Sequence, residues 1–415
     1  MEDGSQLETF PPRALMSVDD AIAYLLANAR VVDEVESVLL TQALGRVTAH
    51  GSRASIDVPA FTNSEMDGYA VSAGDLIEKK KYHLKVTQRI TAGRPGHPLS
   101  AGEAARIFTG APLPPGADAV VIQENCLRRD DVVQFCGPIV AGQHVRPQGN
   151  NIAIGTEVLP SGTRIRPQEI GVAAAIGLKS LEVSRRLRVG FFSSGNELVE
   201  PGTSLEPGQI YNSNRYVLLG LIERLGCHTY DLGIVRDSFS ETKKVLTESA
   251  GEVDVVITSG GVSVGEEDHI KQAVEAVGEL QLWSVAVKPG KPLAFGKLGK
   301  ADFLGLPGNP VSTLVTFCLF VRPFLLKRQG VACVTPTWSL VTADFDWMES
   351  GSRREFVRAR IDWSELGPKA IIYPKQGSDV LLSTAWASGL VEIPERRTIR
   401  AGDKVKFLSF NEVLF

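Results

Sequence analysis

Residues 186–194 read RLRVGFFSS, and runs of the same kind follow as HTYDLGIV at 228–235, VDVVITS at 253–259, QLWSVAV at 281–287 and ADFLGLP at 301–307. Each is an apolar stretch of strand length. Amphipathic segments separate them, with helix starts read near Asn214, Glu241 and Glu267. Strands buried on both faces read as nearly continuous apolar runs, and strands alternating with helices build a parallel sheet covered on both sides. Residues 185–330 are therefore expected to form a three-layer parallel α/β domain.

Outward from that block the pattern changes. Toward the N-terminus, VDDAIAYLL (18–26) has helical spacing, with Ser17 placed to cap it and two acids in its first turn. Residues 51–150 break into short extended pieces punctuated by Gly and Pro, such as RIFTGAPLPPGADAVVIQEN (106–125), which points to a β-rich domain inserted into the first. The segment GTRIRPQEIGVAAAIG (162–177) supplies another helix and returns the chain, so the first domain is discontinuous, 12–50 with 151–184. Beyond 330, SRREFVRARIDW (352–363) and TIRAGDKVKFLSF (398–410) imply a small barrel-like β domain at 331–415. Four such units suit 415 residues, since one core rarely serves more than roughly 250.

The formal charge is −4 and the pI about 6.0, so no broad positive field exists for a nucleic-acid backbone or an anionic membrane. An anionic substrate has to be caught locally. The five cysteines form no CxxC pair, and the six histidines form no HExxH, which argues against a disulfide framework or a zinc centre. No signal peptide is read at the N-terminus and no later stretch is read as apolar over about 18 residues, so the expected location is the cytoplasm.

In an open parallel sheet, ligands bind beyond the carboxyl ends of the strands, where helix N-termini point backbone N–H groups into a crevice. Four segments fall there. SSGNEL (193–198) puts Glu197 after the tight turn at Gly195, either as a crevice acid or as an acid serving a helix start. SGGVSVGEEDH (259–269) either cradles a phosphate or ring at its glycines or merely joins strand to helix. KPGKP (288–292) holds two lysines on a stiff loop, a costly arrangement unless an anion lies between them, or else a solvated surface pair. In LPGNPVS (306–312), Asn309 is placed to cap the next helix and Ser312 adds a hydroxyl to its positive end. A fifth segment, DVPAFTNSEMDGYAV (57–71), reads by spacing as a β-turn with a solvent-facing Asp67.

Taken in order, DVPAFTNSEMDGYAV, IFTGAPLPPGADAVV, SSGNELVEPG, GQIYNSN, GIVRDS, SGGVSVGEEDH, VKPGKPLAFGK and GLPGNPVS resemble the molybdopterin molybdenumtransferase family, that is MoeA and the gephyrin E domain. The resemblance implies an elongated homodimer that inserts molybdate into adenylylated molybdopterin with magnesium and releases AMP, Asp67 reaching the partner's site. It implies molybdate ligands at Lys288, Lys291, Ser312, Arg353, Arg358 and Ser378, and metal binding or positioning by Glu197, Asp237, Asp268 and Asp67. Other implied substrate-facing positions are Ser194, Gly195, Ser259, Gly260, Gly261, Ser263, Gly265, Pro307, Gly308 and Asn309. Implied partners are a molybdopterin adenylyltransferase upstream and apo-molybdoenzymes or their chaperones downstream, with neither nucleic acid nor membrane. Three amides, Asn151, Asn196 and Asn212, stand where the family commonly has Asp, and they leave open a catalytically weak carrier or scaffold. A preference for tungstate is equally open.

Overall fold

The computed structural model describes residues 15–76, 81–262, 269–349, 351–365 and 367–414. Its central unit grows from strands whose side chains alternate between two cores. The elements are helix α1 (Val18–Asn28), β1 (Arg188–Ser194), α2 (Ser213–Arg224), β2 (His228–Val235), α3 (Phe239–Ala250), β3 (Val255–Ser259), α4 (His269–Val277), β4 (Glu279–Ser284), β5 (Pro292–Leu298), β6 (Ala301–Leu306) and the long helix α5 (Pro310–Arg328). The sheet order is β2-β1-β3-β6-β5-β4. Val189, Phe191, Val255, Ile257, Leu304 and Leu306 face one core with α1, α2 and α5. Phe192, Val256 and Phe303 face the other, with residues of α3 and α4. That period of two is what continuous apolar strands require when both faces are covered.

Three readings of this unit change. The segment 281–287 is not one parallel strand, because β4 pairs antiparallel with β5, and Val287–Lys288 joins the C-terminal sheet beside Arg354 and Glu355. Strand β5, hidden in the sequence inside a segment read as a loop, runs antiparallel to β6. The link 285–291 is too short for a parallel crossover, which needs a dozen or more residues, so a hairpin was the only connection available. Lastly, one stretch is apolar over a membrane-spanning length: α5 qualifies by length and composition, but 89% of its apolar window is buried within the protein, where it serves as the core helix. Phe317–Val321 in its middle is a wider π turn, just ahead of Pro323, which has no N–H to donate.

Ser17 caps α1 through its side chain, which accepts from the Asp20 N–H, and α1 lays Val18, Ala21 and Leu25 on the central core. The strand Val35–Leu39 pairs antiparallel with Ser180–Ser184. The stretch between them carries a curled six-stranded sheet in the order 119–122, 68–71, 103–107, 81–90, 132–136 and 126–129. In the C-terminal part, Arg354–Ser364, Gly367–Ile372, Ser339–Ala343, Lys404–Ser409 and Gly389–Ile393 pair in that order, and the last returns to the first, closing a five-stranded barrel.

Candidate functional site

The carboxyl ends of β1, β3 and β6 open into a cavity of about 1040 Å³. Its floor depends on glycine. Gly260 has φ +92°, and a Cβ there would stand 2.5 Å from the Ser194 carbonyl oxygen, so the turn after β3 can pass β1 only without a side chain. A Cβ on Gly195 would lie 2.4 Å from Glu197 Oε2, which lets the Glu197 carboxylate fold back over the turn after β1. Beside it, Ser194 Oγ donates to Asp237 Oδ1 at 2.7 Å, and the Asp237 N–H donates to Asn196 Oδ1 at 3.3 Å. Glu197 and Asp237 are both exposed on the cavity wall. Asn196, one of the three amides, thus serves as an acceptor that orients the Asp237 backbone.

The opposite wall is cationic and is shared with the barrel. The Val287–Lys288 pairing with Arg354–Glu355 brings Lys288 Nζ within 3.0 Å of Glu355 Oε2, on a carboxylate that is almost wholly buried. The charge repulsion expected between the two lysines is therefore relieved by a protein carboxylate rather than by a ligand alone. Lys291 is exposed and, among the described residues, makes no ion pair. Arg353 donates to the Val287 carbonyl at 3.3 Å, so its guanidinium stays against the same loop. Ser312 is buried at the start of α5 and borders the cavity. Asn309 stands at the N-cap position but does not cap with its side chain, which donates instead to Ser378 Oγ at 2.9 Å, while the Val311 N–H donates to the Ser378 carbonyl. The cap reading is corrected: Asn309 clamps the barrel to the first turn of α5.

Of the positions read from the sequence, Ser194, Gly195, Glu197, Asp237, Ser259, Gly260, Gly261, Lys288, Lys291, Pro307, Gly308, Asn309, Ser312, Arg353 and Ser378 all line this one cavity. Arg358 does not. It is 1% exposed, donates to Ser383 Oγ and the Gly377 carbonyl, and burial brings its guanidinium down to about 10. Its place is behind the turn that presents Ser378. Asp67 lies in the inserted unit, away from the cavity wall of its own chain. Its carboxylate accepts from the N–H and the hydroxyl of Thr109, both at 2.8 Å, and these bonds, the backbone one foremost, hold it below the usual carboxylate range. Ser263, Gly265 and Asp268 fall outside the described residues.

Among the described residues no three His, Cys, Asp or Glu side chains come close enough to share a metal ion. Glu197 and Asp237 offer hard carboxylate oxygens, the donor type that a magnesium ion retaining several waters accepts. The sequence reading gave no individual role to Ile210, Tyr211 and Asn214 of GQIYNSN or to His269 of SGGVSVGEEDH, which also border the cavity, nor to Glu355, which pairs Lys288. Glu355 was hidden because its partner lies 67 residues away in sequence, on a two-residue strand that joins the C-terminal sheet.

This fold and cavity define a class: a molybdopterin-binding type of α/β unit, flanked by a discontinuous domain with a β insertion and by a closed barrel. The comparisons agree along the chain. Residues 16–177 match the MoeA N-terminal region (domains I and II), 190–327 a probable molybdopterin-binding domain, and 341–410 the MoeA C-terminal region (domain IV). The chain is 36% identical over 405 residues to a molybdopterin molybdenumtransferase of Haemophilus influenzae, covering 96% of this chain and 100% of that one. It is 36% identical over 369 residues to molybdopterin molybdenumtransferase 2 of Mycobacterium tuberculosis, covering 86% and 91%. A solved MoeA structure from Pyrococcus horikoshii superposes with a TM-score of 0.84 at 28% identity, over 95% of this chain and 100% of that one. The chain belongs to the MoeA family of molybdopterin molybdenumtransferases.

Proposed function

We propose that this protein is a molybdenum insertase, a transferase that places molybdate on the dithiolene of adenylylated molybdopterin with release of AMP. The observation that carries the reading is the single cavity, with Lys291, Lys288, Arg353, Ser312 and Ser378 on one wall and Glu197 and Asp237 on the other. A small dianion needs several donors to replace its water, and a pyrophosphate needs its charge met while the bond breaks.

In this scheme Lys291 and Arg353 bind the oxyanion, Ser312 and Ser378 donate hydrogen bonds to it, and Lys288, steadied by Glu355, keeps the loop in register. Gly260 and Gly261 bring backbone N–H groups close to the phosphate. Glu197 and Asp237 would hold a magnesium ion, which supplies charge neutralisation for the leaving phosphate when bound. Ser194, by donating to Asp237, fixes the direction in which that carboxylate points.

The working form is a homodimer in which Asp67 serves the partner's cavity. Two observations support it: Asp67 sits away from its own chain's cavity, and Val35, Leu39 and Leu44 leave apolar side chains exposed along one edge of the first domain. Five free cysteines fit the reducing cytoplasm. Molybdopterin adenylyltransferase would supply the substrate, and apo-molybdoenzymes would take the product.

The test is to incubate the purified chain with adenylylated molybdopterin, molybdate and magnesium, and to follow AMP release together with reconstitution of an apo-molybdoenzyme. Molybdate-dependent AMP release with active cofactor is expected. Tight binding without AMP would replace the insertase with the carrier that the amides at 151, 196 and 212 allow, and a tungstate arm decides the ion.

A further inference from the structure

Residues 210–214 form a stretch of the cavity wall to which neither the oxyanion nor the metal scheme gives a role. Ile210 and Tyr211 pair in parallel with Leu198 and Val199, so they emerge directly beside Glu197. Both border the cavity, 53% and 43% exposed. Tyr211 is not a loose surface ring, because its hydroxyl donates to the Thr203 carbonyl at 2.8 Å and this holds the ring in place. An ordered, half-exposed aromatic face on the wall of a polar cavity is a platform for a flat partner.

Below it lie two amides whose orientations the hydrogen bonds decide. Asn212 Oδ1 accepts from the Arg215 backbone N–H at 3.2 Å and from Ser193 Oγ at 3.1 Å. Only the oxygen can accept from an N–H, so Nδ2 must face the other way, where it is buried without a partner. Asn214 has the opposite polarity. Its Nδ2 donates to the Gly308 carbonyl at 2.7 Å, and its Oδ1 is buried without a partner. Asn212 is 1% and Asn214 8% exposed, and both border the cavity. Each unpaired buried polar atom costs about 1–3 kcal/mol, so two of them, of opposite polarity, on neighbouring residues of the cavity wall call for a partner.

We propose that this stretch seats a heterocycle of the substrate, its ring stacked on Tyr211 and its hydrogen-bonding edge paired with the donor of Asn212 and the acceptor of Asn214. An adjacent donor and acceptor match a flat ring edge that offers an acceptor and a donor in turn. The 2-amino-4-oxo edge of a pterin has this pattern, and so does the N1 and amino edge of adenine. The proposal rests on the insertase reading, whose substrate carries both rings, and it makes Asn212 a specificity residue: the amide supplies a donor that a carboxylate in its place would lack.

The test uses the full chain with two separate probes, molybdopterin and AMP, and compares dissociation constants for Tyr211→Ala, Tyr211→Phe and Asn212→Asp, with thermal melts as the control for folding. Asn212→Asp keeps the oxygen that caps α2 and accepts from Ser193, replaces the donor with an acceptor and adds a negative charge, whose repulsion bears on both anionic probes alike, so that selective loss of one probe reports the missing donor. Tyr211→Ala and Asn212→Asp should each weaken one probe at least tenfold and leave the other within twofold, while Tyr211→Phe, which keeps the ring, stays near wild type. Loss confined to molybdopterin assigns the seat to the pterin; loss confined to AMP assigns it to adenine. Unchanged binding of both probes in all variants, or equal loss of both, overturns the seat while leaving the insertase standing. Failure of the wild-type chain to bind either probe overturns both readings.

Discussion

Lys288 and Lys291 stand three residues apart on one loop, and their surroundings divide their roles. Lys291 has only solvent and the cavity before it, so Lys291→Ala should raise the molybdate concentration needed for half-maximal rate by tenfold or more while molybdopterin binding and melting temperature stay unchanged. Equal loss of molybdate and molybdopterin binding would remove the oxyanion role. Lys288 compensates the buried Glu355, and removing one partner of such a pair leaves a buried carboxylate that must desolvate or take up a proton. Lys288→Met should therefore lower stability by about 1–3 kcal/mol, and adding Glu355→Gln should recover much of it. A melt series on the two single variants and the double variant checks this. Asp254 offers a pH handle at the other end of the sheet. Burial alone would raise its carboxyl, but hydrogen bonds from the Arg185 side chain and from the Arg188 backbone and side chain prevail and hold it at about 2. Because the folded value lies below the unfolded 3.8, its stabilisation of about 2 kcal/mol is complete above roughly pH 5 and is lost as pH falls toward 2. Asp254→Asn should thus be less stable at pH 6 and converge on wild type near pH 2, as acid-series melts would read.

At the scale of elements, the turn after β3 is where conformation, packing and function meet. Gly260→Ala would combine a left-handed φ with a Cβ driven onto the Ser194 carbonyl, so the turn must move off β1. The expected result is a destabilised protein, by roughly 2–4 kcal/mol, that has lost affinity for the nucleotide part of the substrate; wild-type melting and kinetics would disprove the close approach. This turn was legible in position, because two glycines directly follow an apolar strand, although the sequence left open a plain strand-to-helix connection. The main strands β1, β3 and β6 were legible for a similar reason, since burial on both faces leaves an unbroken apolar run. Strand β5 was not, because Pro292 and the neighbouring KPGKP read as a loop; its antiparallel pairing with β4 has its physical reason in the link 285–291, which is too short for a crossover. Asn309 was legible as a helix-start residue but not as a clamp on Ser378, since that partner comes from the barrel 69 residues on. Arg358 shows the same limit: the family resemblance implies a molybdate ligand there, and only burial reveals that it supports the Gly377 turn from behind.

At the scale of the whole molecule, the position of Asp67 decides how many chains make one site. The inserted sheet holds Asp67 through Thr109, with Arg106 beside it stacked between Tyr69 and Phe108, so the acid belongs to a built surface rather than to a loose turn. That surface does not meet the cavity of its own chain. If it completes the partner's cavity, the two defects Asp67→Asn and Lys291→Ala should complement when carried by different chains. Assayed at molybdate well below the raised half-saturation of the Lys291 variant, each variant alone would have little activity, because every site in its homodimer lacks one required group. In a mixed dimer, one site would combine the intact Lys291 of the first chain with the intact Asp67 of the second, and the other site would carry both defects. Random mixing and reassociation makes about half of the dimers mixed, so activity should return to about a quarter of the wild-type level per chain. The measurement is AMP release after co-refolding or co-expression of the two variants, with a chain carrying both substitutions mixed with each single variant as the control that must stay inactive. A recovery near one quarter establishes a site built from two chains. No recovery, with mixed dimers demonstrated by tagged co-purification, would confine catalysis to one chain and return Asp67 to the solvent-facing turn that its spacing first suggested.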